Sequence, residues 1–242
     1  MLDALGSAIA NGEIPPGSVL RSDELQERFG ASRTVAREVV RVLETMCLTS
    51  SKRRVGMIVR EPGEWNHYDP RLLRWQLDGS ERKTALRTLT ELRSGVEPCA
   101  ARFAALRATP EEGGRLRALA KRLEETAHRR DLVTFLGHDV AFHELLLTAS
   151  RNPMFAQLSA VVAEVLAGRT EHGLMPEEPQ PEAVALHVEV AAAIDAGDPD
   201  RAERAMRDIV IQARDEMAVA LDGCSSSNLC RSFEGTARRG RR

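Results

Sequence analysis

Aromatic residues are scarce in this 242-residue chain: Phe, Trp and Tyr together make 4%, with two Trp and a single Tyr. Against a hydrophobic content of 43% and a charged content of 29%, rich in Leu, Ala, Val and Arg, that profile suits packed helices better than a β-sandwich. Collagen-like, knottin-like and wholly disordered classes are excluded by length and composition. Long apolar runs are also missing. None approaches the ~18 residues of a membrane span, and the start MLDALGSAIANGEIPPG lacks a basic stretch followed by an apolar one. The expectation is a soluble, cytoplasmic protein with no membrane partner. Cysteine is limited to Cys47, Cys99, Cys224 and Cys230, without the paired spacing of a zinc ribbon or the distribution of a secreted disulfide framework. Cys47 and Cys99, set in apolar helical patterns, read as small core residues, and the other two as tail thiols with no structural task.

A strong charge of either sign is absent as well, the net value being −2. Taken whole, that argues against a nucleic-acid binder, but the whole conceals its parts. Residues 1–62 carry 9 Lys/Arg against 8 Asp/Glu, residues 63–222 carry 20 against 27, and residues 223–242 carry 5 against 1. Within the first stretch, residues 33–60 hold Arg33, Arg37, Arg41, Lys52, Arg53, Arg54 and Arg60 against only Glu38 and Glu44. Such asymmetry points to a small polyanion-facing module on an acidic body.

The first 62 residues read as DALGSAIANGEI, SDELQERFG and SRTVAREVVRVLETM, three helices of two to four turns. Ser22 and Ser32 stand at N-cap positions and Gly30 where the second helix must end. Leu25, Phe29, Val35, Val39, Val42 and Leu43 recur at helical spacing and predict one small core. LTSSKRRVGMIVREP then reads as two short strands joined by a basic turn. The sum is a winged helix-turn-helix. Its second paired helix would present Ser32, Arg33, Thr34 and Arg37 to a major groove, where Arg donates two hydrogen bonds to a guanine edge. Arg53 and Arg54 at the wing tip are placed for the adjacent minor groove.

Residues 63–80 contain both Trp and the only Tyr, an unusual use of aromatics for a plain linker. From 81 to 222 amphipathic helix is broken only at TPEEGG, SRNP, GLMPEEPQPEA and AGDPD, which predicts about six helices in an antiparallel bundle. Residues 223–242, rich in Ser, Gly and Arg, are expected to be disordered. The domains expected are thus 1–62, a linker 63–80, a helical body 81–222 and a tail 223–242.

NGEIPPGSVL, SDELQERFGASRTVAREVVRVLE and RRVGMIV resemble the signature of GntR-type transcription regulators, and the helical remainder is similar to the FadR-like subfamily with its FCD ligand-sensing domain. The resemblance covers residues 4 to about 220. It implies that Arg33, Thr34 and Arg37 contact bases and backbone, that Gly56 lets the wing approach the minor groove, and that the protein works as a homodimer on double-stranded operator DNA. At Asp23 some members carry an operator-reading Arg, a task an acidic side chain cannot perform.

In the body, Asp139 and His143 lie one helical turn apart in GHDVAFHELLLTASRNPMF, a spacing that suits a divalent metal and equally a hydrogen-bonded structural pair. His138 falls off that face. His187 lies among Val184, Leu186, Val190 and Ala191, where a histidine is usually a satisfied core residue. Arg93 by itself reads as a surface arginine paired to Glu97 one turn on. The resemblance adds roles to these positions. Metal-binding members use an Asp and a His four apart, a His on a later helix and a final His. Asp139, His143 and His187 match the first three positions, and Ile209 stands at the fourth, leaving a three-ligand zinc-like site. The resemblance further implies that Arg93 clamps the carboxylate of an organic-acid effector and that Asn152 shapes the end of the pocket. WNHYDPRLLRW is similar to the interdomain junction of sugar-acid regulators of the galactonate type.

The expected function is a ligand-responsive repressor released by a sugar acid or other hydroxy-carboxylate. A metalloregulator sensing the ion itself is the alternative. A metal-dependent hydrolase is disfavoured, because the one nearby general base, Glu144, points about 100° away from the ligands.

Overall fold

A computed structural model describes residues 1–176 and 180–233, the side chains from 221 onward excepted. The chain divides into two units, Met1–Leu86 and Arg87–Arg242.

The first unit opens with α1 (Leu2–Ala10), followed by β1 (Val19–Leu20), α2 (Ser22–Phe29), α3 (Arg33–Thr45), β2 (Thr49–Lys52) and β3 (Gly56–Val59). Gly30 closes α2 in the left-handed region, with φ 59°, which only glycine enters without strain. Ser32 caps α3 by accepting from the Val35 N–H at 3.3 Å. Ser22 does not cap α2. Arg21 holds that position, and the Ser22 hydroxyl instead meets the Gln26 amide one turn on. The inward face of α3 is Ala36, Val39 and Leu43, which join Leu5, Ile9, Leu25 and Met57 in one core. Val35, expected in that core, is 48% exposed, because the i, i+3, i+7 face of α3 begins one residue later.

The wing has three strands in the order β1-β3-β2, all antiparallel, where the sequence pattern gives two. β1 pairs Val19 with Ile58 and Leu20 with Met57. A strand of two residues has no alternation to read, and only its partner defines it. Gly56, with φ 126°, is where β3 meets β1: a Cβ there would lie 2.9 Å from the Leu20 carbonyl oxygen.

Residues 63–80 are not a free linker. A 3-10 turn (Pro62–Glu64) and α4 (Pro70–Asp78) follow β3. Trp75 lies on Gly6 of α1, so close that a Cβ at Gly6 would sit 2.2 Å from the indole, and Trp75 Nε1 donates to Asp3 at 3.2 Å. Trp65 Nε1 donates to the Arg60 carbonyl at 3.0 Å. The two indoles therefore bind this stretch to the first unit.

The second unit is helical: α5 (Arg82–Arg107), within which the unit boundary falls, α6 (Pro110–His128), α7 (Leu132–Ala149), the single turn α8 (Pro153–Ala156), α9 (Ser159–Glu171), α10 (Pro181–Asp195) and α11 (Pro199–Phe233). α6 packs on α7 and α10, α7 on α9, and α10 on α11, around Leu116, Leu123, Phe142, Leu146, Val190 and Met206. Thr109 and Glu112 form a reciprocal capping box at the start of α6. α11 continues through Phe233, so the backbone of residues 223–233, expected as structureless, is helical. The rest of the expected tail, 234–242, lies outside the described residues, as do the side chains of Cys224 and Cys230. Cys99 is exposed and Cys47 half-buried, so neither is a core thiol. Cys99 falls on the side of α5 away from Ala100, Ala101 and Ala104, which are wholly buried. No helix among the described residues is long and apolar enough to cross a membrane.

Candidate functional site

Each unit carries one candidate site. In the first, Ser32, Arg33, Thr34 and Arg37 are exposed on the N-terminal turns of α3, and Arg53 and Arg54 are exposed at the hairpin between β2 and β3. Arg54 takes a left-handed backbone, φ 65°, in a turn closed by the Val55 N–H on the Lys52 carbonyl at 3.0 Å. Among the described residues none of these four arginines is held in an ion pair, whereas Arg60 is paired with Glu64. Uncommitted guanidinium groups on a helix start and a hairpin tip are free to meet an external polyanion. Gly56 is turned toward β1, which gives its lack of a side chain a role inside the fold.

In the second unit α7 and α10 bring Asp139, His143 and His187 together, all buried, with one ligand atom from each within 4.8 Å of the others. The His187 Nδ1–H donates to the Ala183 carbonyl at 2.7 Å, since a carbonyl oxygen can only accept. In the neutral ring this leaves a lone pair on Nε2, 3.1 Å from Asp139 Oδ1. His143 Nε2 lies 3.4 Å from the same oxygen. Its Nδ1 lies 3.0 Å from Glu97 Oε2, in both cases off the ring N–H direction. Phe142 sets its edge against both imidazoles.

Glu97, on α5, links this cluster to Arg93. Arg93 is 1% exposed, not a surface residue, and its Nε and Nη2 donate to the two Glu97 oxygens at 2.7 and 3.2 Å. The fork expected to clamp an effector is thus filled from behind, and Arg93 Nη1 remains buried without a hydrogen-bond partner among the described residues. Burial works to raise the Glu97 pKa, but Arg93 and His143 outweigh it and hold it at about 2. Burial works to lower that of His143, and Glu97 and Asp139 outweigh it, raising it to about 9. Asp139 is held well below the carboxylate range by the two histidines, against its own desolvation.

Arg93, Asp139, His143 and His187 line a cavity, with Glu97 behind them, to which α11 contributes Ile209, 6% exposed. Its free volume is about 30 Å³, room for an ion and a water or two. Arg169 of α9 and Gln212 and Glu216 of α11 line it as well. Arg169, 5% exposed, donates from Nη2 to Glu216 Oε2 at 3.0 Å, and its Nε has no partner among the described residues. Burial, then Arg93, lower its pKa. Asn152 is not brought to this cavity. Its side chain accepts from the Met154 N–H at 3.0 Å and caps α8. His138 is half-buried outside the cluster and Glu144 is exposed.

Sequence reasoning missed Glu97 as a bridge, Arg169 and Glu216. The i, i+4 spacing of Arg93 and Glu97 was visible and their burial was not. Nothing in the local pattern distinguishes Arg169 from a surface arginine at a helix end.

Residues 2–59 match the family model described as bacterial regulatory proteins, gntR family, and residues 88–212 match the FCD domain. The chain is 33% identical to the galactonate operon transcriptional repressor of Escherichia coli K12 over 203 residues, 83% of this chain and 88% of that protein. It is 26% identical to the probable D-xylose utilization operon transcriptional repressor of Paenarthrobacter nicotinovorans, over 84% of this chain and 81% of that one. Among solved structures, E. coli McbR/YncC shares the fold with a TM-score of 0.54 at 19% identity, over 91% of this chain and 96% of that one.

Proposed function

The chain belongs to the GntR family of bacterial transcription regulators and carries an FCD domain, and from that premise we propose that it is a cytoplasmic homodimeric repressor released from operator DNA by a hydroxy-carboxylate, a sugar acid above all. Membership in a family of regulators, not enzymes, sets the hydrolase reading aside. The observation that carries the effector reading is that Arg93, which lines the same cavity as Asp139, His143 and His187, keeps its buried Nη1 without a partner among the described residues. An unpaired buried N–H costs about 1–3 kcal/mol, and an acceptor oxygen from a ligand removes that cost. The relatives' names, a galactonate and a xylose operon repressor, agree with a sugar-derived signal.

The donor set fits a zinc-like divalent ion. His187 Nε2 and Asp139 Oδ1 are both electron-pair donors aimed at one another, a repulsion that a shared cation or a proton relieves, and each histidine has its other nitrogen beside a second acceptor, as ligating histidines do. Such an ion would supply an electrophilic site for a ligand oxygen, held by Asp139, His143 and His187. Glu97 stands beside the His143 ring, 3.0 Å from Nδ1, and neutralises Arg93. Arg33, Thr34 and Arg37 would read the operator and Ser32 fix the helix that carries them, with Arg53 and Arg54 on the flanking groove. Two copies would place two α3 helices about one DNA turn apart.

A cavity of about 30 Å³ admits an ion and not a six-carbon acid, so effector entry requires the lining to separate. That same observation favours a second reading, in which the ion alone is the signal. Fluorescence anisotropy on DNA upstream of the protein's own gene tests both, with zinc and with sugar acids added separately and together. Release by acid is the expected result, release by zinc alone establishes the second reading, and no DNA binding under any condition overturns both.

A further inference from the structure

We propose that Arg169 reads a hydroxyl at the far end of a polyhydroxy monocarboxylate, and that its pairing with Glu216 turns away acids carrying a second carboxylate, a specificity that rests on the effector reading given above. Arg93 of α5 and Arg169 of α9 both line the cavity, and each carries one buried N–H, Arg93 Nη1 and Arg169 Nε, without a hydrogen-bond partner among the described residues. The effector carboxylate would meet the first, beside the Asp139, His143 and His187 cluster, and a further oxygen of the same molecule would meet the second once the lining separates.

The two ends differ in charge. Arg93 adjoins Asp139, His143 and His187, where a divalent ion fits. Arg169 is backed by Glu216, whose Oε2 accepts from Arg169 Nη2 at 3.0 Å and whose Oε1 accepts from Gln212 Nε2 at 3.2 Å. Among the described residues, Arg93 and Arg169 stand against Glu97, Asp139 and Glu216, one negative charge in excess before the histidines. A divalent ion reverses this to one positive charge, and a single carboxylate then brings the cavity to neutrality. A second carboxylate would be buried as unmatched charge next to Glu216, which costs far more than burying a neutral group. A hydroxyl oxygen accepts the Arg169 N–H and adds no charge. The class selected is therefore the aldonate, with a carboxylate at one end and hydroxyls along the rest, and not the aldarate.

Isothermal titration calorimetry of the full-length protein in zinc tests this with gluconate, glucarate and glycolate, the last lacking the hydroxyl-bearing carbons that Arg169 is proposed to read. Gluconate is expected to bind at least ~10-fold more tightly than glucarate, and Arg169→Gln to weaken gluconate about 10-fold while leaving glycolate unchanged. Glu216→Gln is expected to raise glucarate affinity relative to gluconate by about 10-fold, a gain that loss of a purely structural ion pair does not produce. Where Arg169→Gln does not fold, Arg169→Lys keeps a cation for Glu216, moves the Nε donor, and carries the same expected loss. Glucarate binding as tightly as gluconate to the unaltered protein, or ratios among the three acids unmoved by the substitutions, overturns the role of Arg169 and Glu216 while the effector reading stands. Failure of all three acids to bind overturns the effector reading itself.

Discussion

His187 Nε2 stands 3.1 Å from Asp139 Oδ1, while Nδ1 of the same ring is committed to the Ala183 carbonyl at 2.7 Å. In the neutral ring, lone pair therefore faces carboxylate oxygen. A metal ion or a proton must stand between them. Zinc is expected to raise the melting temperature of chelator-treated protein, and Asp139→Asn and His187→Gln to abolish that rise, read by differential scanning fluorimetry. An equal rise in both variants would remove these residues from the ligand set.

Glu97 is wholly buried between Arg93 and His143. Glu97→Gln leaves Arg93 without a counter-charge, which for a buried ion pair costs about 3–5 kcal/mol of stability. Loss of a carboxylate beside a ligating histidine costs about 10- to 100-fold in metal affinity. Urea unfolding with and without zinc separates the two effects. A variant as stable as the parent would show that Arg93 finds another partner.

The pKa of His143 is raised from 6.5 to about 9 by Glu97 and Asp139, over the opposing effect of burial. A folded-state value above the unfolded one means that proton binding favours the folded protein. The contribution is complete below 6.5 and lost as pH rises through about 9. In chelator the melting temperature is expected to fall across that window. In zinc the same deprotonation favours the ion, so apparent metal affinity is expected to rise with pH over the same range. A chelated protein with a flat profile there would contradict the raised pKa.

Arg33 and Arg37 are exposed on α3 and make no ion pair among the described residues. Replacing either with Ala is expected to leave the melting temperature unchanged and to cost about 1–3 kcal/mol of operator affinity. Arg53→Ala at the wing is expected to weaken specific and competitor DNA more evenly, with a smaller salt dependence. Gel-shift titrations at two salt concentrations check both outcomes. Unchanged affinity in Arg33→Ala and Arg37→Ala would move the DNA interface off α3.

The sequence alone determined the parts whose signal is local. Ser32 and Gly30 bound the reading helix because capping and left-handed turns depend on one or two residues. Asp139 and His143 share a face because helical spacing puts them there. The tertiary structure decided what depends on burial and on pairing across the chain. β1 exists only because β3 lies beside it, and residues 63–80 join the first unit because Trp75 fits where Gly6 has no side chain. Asn152 became a helix cap and Arg93 a buried ion-pair partner for Glu97. A sequence shows which charges exist. Only the fold shows which of them lose water, and desolvation is what turns Arg93, Glu97 and Arg169 from ordinary surface types into buried, coupled charges.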